Sequence, residues 1–326
     1  MNQLPTLPLA KSALDRDSIG RNETNLLGEL SSLASTRYLA LHDSLVQLNG
    51  DAESQGPTLL LQPASSVSEF EFEVYLGKTL QSTLDFDGSE LAVGTPIVLR
   101  VLSLAQANSI DGEWHNLRRS AIGLSELDAG LWTQSLAIAN WHQTHQFCPR
   151  CGSKTAPEQS GWSRRCPVDD RQVFPRTDPA IIVAVTDEQD RLLLGSQGSW
   201  EANRWSVLAG FVEAGESLNA AVAREVFEES GVRVGEIEFL GSQPWPFPYS
   251  LMFGFKAVAL PGQQLQPDGE EIVKLRWISR AELTAELGEL LLPGPLSIAR
   301  GLIENWYGQP LPTSVATSQA GKPGAR

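Results

Sequence analysis

Residues 210–232 read GFVEAGESLNAAVAREVFEESGV, and the fold turns on how this stretch is placed. Ser217 offers an N-cap hydroxyl and Gly231 can close a helix in the left-handed conformation, so the spacing predicts a helix over Leu218–Ser230. On a helical wheel Leu218, Ala221 and Val222 share one arc, and carrying that arc toward the C-terminus brings Glu225, Glu228 and Glu229 rather than further apolar residues. Carboxylates at i, i+3 and i+4 repel one another, and at a helix C-terminus the macrodipole adds to the cost. Such a face needs a cation among its charges, and hard divalent ions such as Mg²⁺ or Mn²⁺ suit oxygen ligands.

Working outward, short apolar runs bounded by turn residues predict strands at 180–185 (AIIVAV), 191–194 and 205–209 before the helix, and at 235–241, 250–260 and 273–278 after it. Helical patterns follow at 280–287 and 296–307, and the nearly apolar-free tail 311–326 is expected to be disordered. Upstream, Phe70, Phe72, Val74 and Leu76 alternate with Glu71, Glu73 and Tyr75, a strand pattern, and 96–104 is a second apolar run. Ser125 can cap a helix running to His145 through Leu127, Leu131, Leu136, Ile138 and Trp141. The fold class expected is α+β: a β-rich N-terminal domain over 1–140, a small cysteine segment over 146–175, an α/β domain over 176–310 and the tail.

At 326 residues, with 41% hydrophobic and 20% charged residues, the chain can bury more than one core. Its formal net charge of −14 argues against a surface that grips nucleic acid along the backbone, which requires clustered cations. No stretch has the apolar length of a membrane span, and the N-terminus lacks a basic start followed by an apolar run, so no membrane association and a cytoplasmic location are expected. The three cysteines, two of them in Cys148-Pro-Arg-Cys151, suit metal chemistry in a reducing compartment better than a disulfide framework.

Gly210, Glu216, Arg224, Glu225, Val226, Glu228, Glu229, Gly231 and Val232 reproduce the Nudix box, Gly-x5-Glu-x7-Arg-Glu-U-x-Glu-Glu-x-Gly-U with U aliphatic. At roughly 7% usage per letter, seven fixed letters match by chance on the order of 10⁻⁸ per start position. The chain thus resembles the Nudix hydrolases. That resemblance implies an α/β/α sandwich whose loop-helix-loop binds divalent ions, Mg²⁺ or Mn²⁺, and hydrolyses a nucleoside diphosphate linked to another moiety. It implies Glu225 and Glu229 as metal ligands, Glu228 as a further ligand or water-orienting group, the carbonyl of Ala209 as another ligand, and Glu216 and Arg224 as a structural pair flanking the box with Gly210. Ser242-Gln243-Pro244-Trp245-Pro246-Phe247-Pro248-Tyr249-Ser250 resembles the SQPWPFPxS array of NADH pyrophosphatases of the NudC type. Its prolines fix the backbone and its aromatics offer stacking faces, so Gln243 through Ser250 are expected to bind substrate. The same resemblance assigns a further metal ligand to Glu271, with Glu270 as the alternative, and a backbone substrate contact to Ala299. Phe174 and Phe211 are candidates to stack on a substrate ring.

Cys148, Cys151 and Cys166 have zinc-ribbon spacing, but the position of the fourth cysteine holds Asp169. A Cys₃Asp zinc site, a site completed by His142 or His145, and a ribbon without metal are the alternatives; His42 and His115 have no constellation around them. The resemblance to the NudC-type pyrophosphatases implies hydrolysis of NADH or NAD⁺ to nicotinamide mononucleotide and AMP by a homodimer, extending to the NAD-capped 5′ end of RNA. The competing readings are an ADP-ribose or oxidised-nucleotide diphosphatase, and a non-catalytic nucleotide sensor.

Overall fold

A computed structural model describes Leu4, residues 7–49 and residues 56–312. They group into two compact units, one holding Pro8–Thr177 with Trp245–Tyr249, the other holding Asp178–Pro244 and the chain from Ser250 onward, with Leu4 and Leu7.

The unit carrying the box is built on a sheet of β1 (Asp178–Thr186), β2 (Leu192–Gln197), β3 (Leu208–Phe211), β4 (Val234–Trp245), β5 (Ser250–Ala259) and β6 (Ile272–Ile278). The strand order is β4-β5-β1-β2-β6, with β3 added to β1. β1 runs parallel to β5 and antiparallel to β3, where Ile181 faces Gly210 and Ile182 faces Ala209. Its side chains divide by parity. Ile181, Val183 and Val185 pack with Ala221, Val222 and Val226 of helix α1 (Leu218–Ser230), whereas Ile182 and Ala184 pack with Leu283 of α2 (Arg280–Glu286) and Ile298, Leu302 and Ile303 of α3 (Ile298–Tyr307). Burial on both faces is why this strand reads as an unbroken apolar run instead of an alternating one. The arrangement is the expected α/β/α sandwich.

Two expectations are corrected here. The strand anticipated from Trp205 starts at Leu208, because the Trp205 N–H is taken by the Leu291 carbonyl and Ser206 bridges Gly195 before the chain reaches β1. Disorder does not begin at Leu311, which is 4% exposed, with its N–H on Glu304 and its carbonyl on Arg300; beyond Pro312 the expected tail lies outside the described residues.

In the other unit, strands Arg37–His42 and Pro96–Val101 pair in parallel, and Phe72–Thr79 pairs antiparallel to the latter. The expected alternation over 70–76 is broken: a register shift between Tyr75 and Gly77 leaves Val74, Tyr75 and Leu76 all buried. Ser125 caps the helix Glu126–Thr144, whose Trp132 and Trp141 are fully enclosed. The Trp132 and Trp141 indole N–H groups and the Thr133 and Ser135 hydroxyls are buried without a hydrogen-bond partner among the described residues, whereas other polar side chains of this helix are satisfied internally. Asp128 receives the Ser125 hydroxyl at 2.7 Å, and Gln134 donates to the Leu76 carbonyl at 2.8 Å. His142 lies between the Gly161 carbonyl at Nε2 (2.7 Å) and Arg164 Nη1 at Nδ1 (2.9 Å). Because the guanidinium can only donate, Nδ1 accepts and Nε2 carries the proton, which fixes a neutral imidazole. Burial and then the Arg164 charge depress its pKa to about 4.

The unfolded chain binds that proton near pH 6.5, the folded one only near 4, so His142 makes the protein lose stability as pH falls through this window. Urea denaturation between pH 7 and 4 should show the loss, and His142→Gln should flatten that part of the profile.

Candidate active site and zinc cluster

The box is assembled around one close approach. A β-carbon built on Gly210 would lie 2.0 Å from the Glu225 carboxyl carbon, so only glycine lets this side chain lie across β3. Ser217 caps α1 through Ala220, and Gly231 ends it at φ +69°. Arg224 ties loop to helix: its Nε and Nη2 reach the two Glu216 oxygens at 2.9 and 2.8 Å, and Nη2 also reaches the Phe211 carbonyl at 2.9 Å. Glu216 in turn accepts the Glu213 N–H at 3.1 Å. This is the fork geometry in which arginine serves best.

The three helix carboxylates occupy different environments. Glu229 is 4% exposed, accepts a backbone hydrogen bond from Ala209 and leaves Oε2 without a partner. Burial first, then the charges of Glu225, Glu271 and Asp268, push its pKa up to about 8. Glu225 is half-buried and also raised, by burial first, against the opposing pull of Arg224 Nη1 at 2.9 Å. Glu228 departs from the expected buried arc: it is exposed and bonded to Arg224 Nη1 at 2.9 Å, while Val226 continues the apolar stripe into the core. Glu271, in the loop before β6, is exposed and within electrostatic reach of both Glu225 and Glu229. Glu270 does not figure among the charges acting on either of them.

The proline-aromatic array behaves as two pieces. Gln243 is fully buried, with its amide donating to the Leu296 carbonyl at 2.9 Å and accepting from the Ile298 N–H at 2.8 Å. Its polar atoms are therefore engaged with the start of α3 and shielded from solvent. Ala299, one residue on, is in the core with its N–H on Ser297 Oγ at 3.2 Å. Trp245 and Phe247 meet edge to face at 5.1 Å, with the Arg118 guanidinium 4.1 Å from the Phe247 ring centre and 5.4 Å from that of Trp245. Asn140 donates to the Pro246 and Pro248 carbonyls at 3.1 and 2.8 Å, and the Phe247–Pro248 peptide is cis. Pro244 is exposed, Pro246 buried, and Tyr249 packs against His145 and Arg176 next to half-buried Ser250. Asn140 and Arg118 carry no motif, and their separation from the array by more than a hundred residues hides them from a linear reading. Phe174 and Phe211 are 61% and 60% exposed, each in its own unit.

Cys148, Cys151, Cys166 and Asp169 bring one ligand atom each to within 4.8 Å of the others. Cys151 and Cys166 sulfurs are 3.4 Å apart, and Cys148 Sγ is 3.7 Å from Asp169 Oδ2. Zinc bound tetrahedrally to thiolates at about 2.3 Å requires sulfur atoms roughly 3.8 Å apart, so these residues fit the ion. His142 is committed to Gly161 and Arg164 through both ring nitrogens, and the cluster includes Asp169 and not His145.

Residues 176–294 match the NUDIX domain, and residues 143–174 match the NADH pyrophosphatase zinc ribbon domain. The NAD-capped RNA hydrolase NudC of Mycobacterium bovis is 42% identical over 207 residues, 60% of this chain and 66% of that protein, so just under two thirds of the relative is spanned. The NAD-capped RNA hydrolases NUDT12 of Macaca fascicularis and Homo sapiens are 31% identical over 339 residues, covering 91% of this chain and 72% of theirs. The chain belongs to the Nudix hydrolases, in the group that joins the Nudix domain to this zinc ribbon.

Two outcomes follow from the geometry. With divalent ions removed, Glu229 keeps its proton up to about pH 8 in the folded state but releases it near 4.5 when unfolded, so stability should fall as pH rises through that window. Thermal melts in chelator at pH 5 and pH 8 should show the drop, with Mg²⁺ or Mn²⁺ restoring the pH 8 value. Elemental analysis should find zinc in the wild type, zinc retained in Asp169→Cys, and zinc diminished in Asp169→Ala.

Proposed function

We propose that this protein hydrolyses the diphosphate of NAD(H), water entering and nicotinamide mononucleotide and AMP leaving, and that it acts on the same linkage at the NAD-capped 5′ end of RNA. The observation that carries the reading is Glu229: a buried carboxylate oxygen without a partner, surrounded by further carboxylates, calls for a cation. Glu225, Glu229 and Glu271, with the Ala209 carbonyl, would hold Mg²⁺ or Mn²⁺, and exposed Glu228 would order water or add a ligand. A bound divalent ion supplies charge neutralisation on the phosphate oxygens and lowers the pKa of the attacking water.

The chain's own residues supply the rest. Arg224 draws Glu228 and Glu225 together and holds Glu216 against the helix, so the acids are pre-placed instead of gathered on binding. The Trp245 and Phe247 rings, held through Asn140 and flanked by Pro244, Pro246, Pro248, Tyr249 and Ser250, support recognition of a ring-bearing dinucleotide. Exposed Phe211 and Phe174 offer further stacking faces, while Gln243 and Ala299 contribute by setting the start of α3. The relatives' names support the choice of NAD and NAD-capped RNA. In this reading zinc is structural, domains run 1–140, 146–175 and 176–310, and the enzyme is a homodimer. Three free cysteines suit the reducing cytoplasm.

Incubation with NADH, NAD⁺, ADP-ribose and NAD-capped RNA under Mg²⁺ and Mn²⁺, with product analysis, tests the proposal. Nicotinamide mononucleotide and AMP are expected from NAD(H), and Glu229→Gln should lower kcat/KM by a factor on the order of 10²–10³. Full activity in that variant overturns the metal assignment, and cleavage of ADP-ribose without cleavage of NAD(H) overturns the substrate.

A further inference from the structure

The loop between β5 and β6 reads Asp268-Gly269-Glu270-Glu271-Ile272, and its shape depends on one side chain. Asp268 Oδ1 accepts three successive backbone N–H groups, from Glu270 at 2.6 Å, Glu271 at 2.9 Å and Ile272 at 3.1 Å. The return bond runs from the Gly269 N–H to the Ile272 carbonyl at 3.1 Å, and Gly269 sits at φ +79°, a conformation glycine adopts without strain. Ile272 is 3% exposed and packs in the core beneath α1. The loop is thus a closed turn wound on a carboxylate and nailed down at its far end.

Glu271 gains its place from this arrangement. It is exposed, and its only described backbone tie within the loop is the N–H given to Asp268. We infer that Asp268 is a positioning residue for the metal site: by gathering three N–H groups it holds the Glu271 carboxylate toward Glu225 and Glu229. Asp268 acts on Glu271 through the backbone, besides its own charge near Glu229, and for that positioning an uncharged acceptor of the same shape should serve. This inference rests on the proposed hydrolysis and deepens it, since it explains how a loop distant in sequence from α1 presents an acid to the same ion.

The test uses the full chain with Mn²⁺ alone as binding probe, free ion being counted by electron paramagnetic resonance, and NADH hydrolysis as the second readout. Asp268→Ala should weaken Mn²⁺ binding about tenfold or more, as loss of an outer partner of a metal ligand does, and raise the metal concentration for half-maximal rate in parallel. Asp268→Asn keeps the acceptor and loses the charge, so it should stay within about threefold of wild type. Glu271→Gln should lose binding, and adding Asp268→Ala to it should cost little more, because both changes remove the same contribution. Impairment of Asp268→Asn equal to that of Asp268→Ala overturns the inference in favour of a direct ionic role. So does full additivity in the double variant, or wild-type Mn²⁺ binding in Asp268→Ala. If Asp268→Ala does not fold, the Asp268→Asn result and its combination with Glu271→Gln decide by the same criteria. Absence of NAD(H) hydrolysis by the wild type, with Mn²⁺ binding still obeying this pattern, would refute the proposed substrate and leave the inference standing.

Discussion

The structure of the catalytic unit depends on burying Glu229 without an ionic partner. Ionised there without a cation, a carboxylate costs several kcal/mol, more than any single hydrogen bond around it returns, which is why Glu229 holds its proton up to about pH 8. The protein tolerates it because the neighbourhood is rigid from below. β1 is buried on both faces, β3 is laced to it, and Gly210 lets Glu225 lie flat where any side chain would push the helix away. Arg224 relieves the outer acids Glu216, Glu225 and Glu228. The helix therefore carries a gradient from satisfied carboxylates at the surface to an unsatisfied one inside.

Much of this was legible in the sequence. The caps at Ser217 and Gly231, the strand at 180–185 and the helix after Ser125 follow from local rules, and the structure places them within a residue or two. The wheel failed at Glu228 because a stripe wide enough to include it would have needed Val226 outside, whereas packing drew Val226 in and turned Glu228 toward Arg224. Gln243 illustrates a different limit. Its place in a recognisable array suggested contact with substrate, but its side-chain amide is fully buried and bonded at both ends to backbone, out of a substrate's reach. Asn140 and Asp268 were invisible because their work is to fix backbone, and nothing in composition or periodicity marks a residue for that.

The cysteine segment gathers a carboxylate with its three thiols. It has little apolar material, and its three short strands cannot form a core. Asp169 occupies the fourth corner with a carboxylate where a thiolate is expected, which preserves the charge of the cluster while replacing a soft donor with a hard one. His142, only a few residues upstream in the chain, is prevented from competing for that corner by its two hydrogen bonds.

The single guanidinium of Arg224 among so many acids has a temporal consequence. It is spent on Glu216, Glu225 and Glu228 before any ligand arrives, and the cluster it serves remains negative. A diphosphate approaching that surface alone meets like charge at close range, in partly buried surroundings where screening is weak. Under the proposed function, electrostatics favour arrival of the cation before its polyanion or together with it.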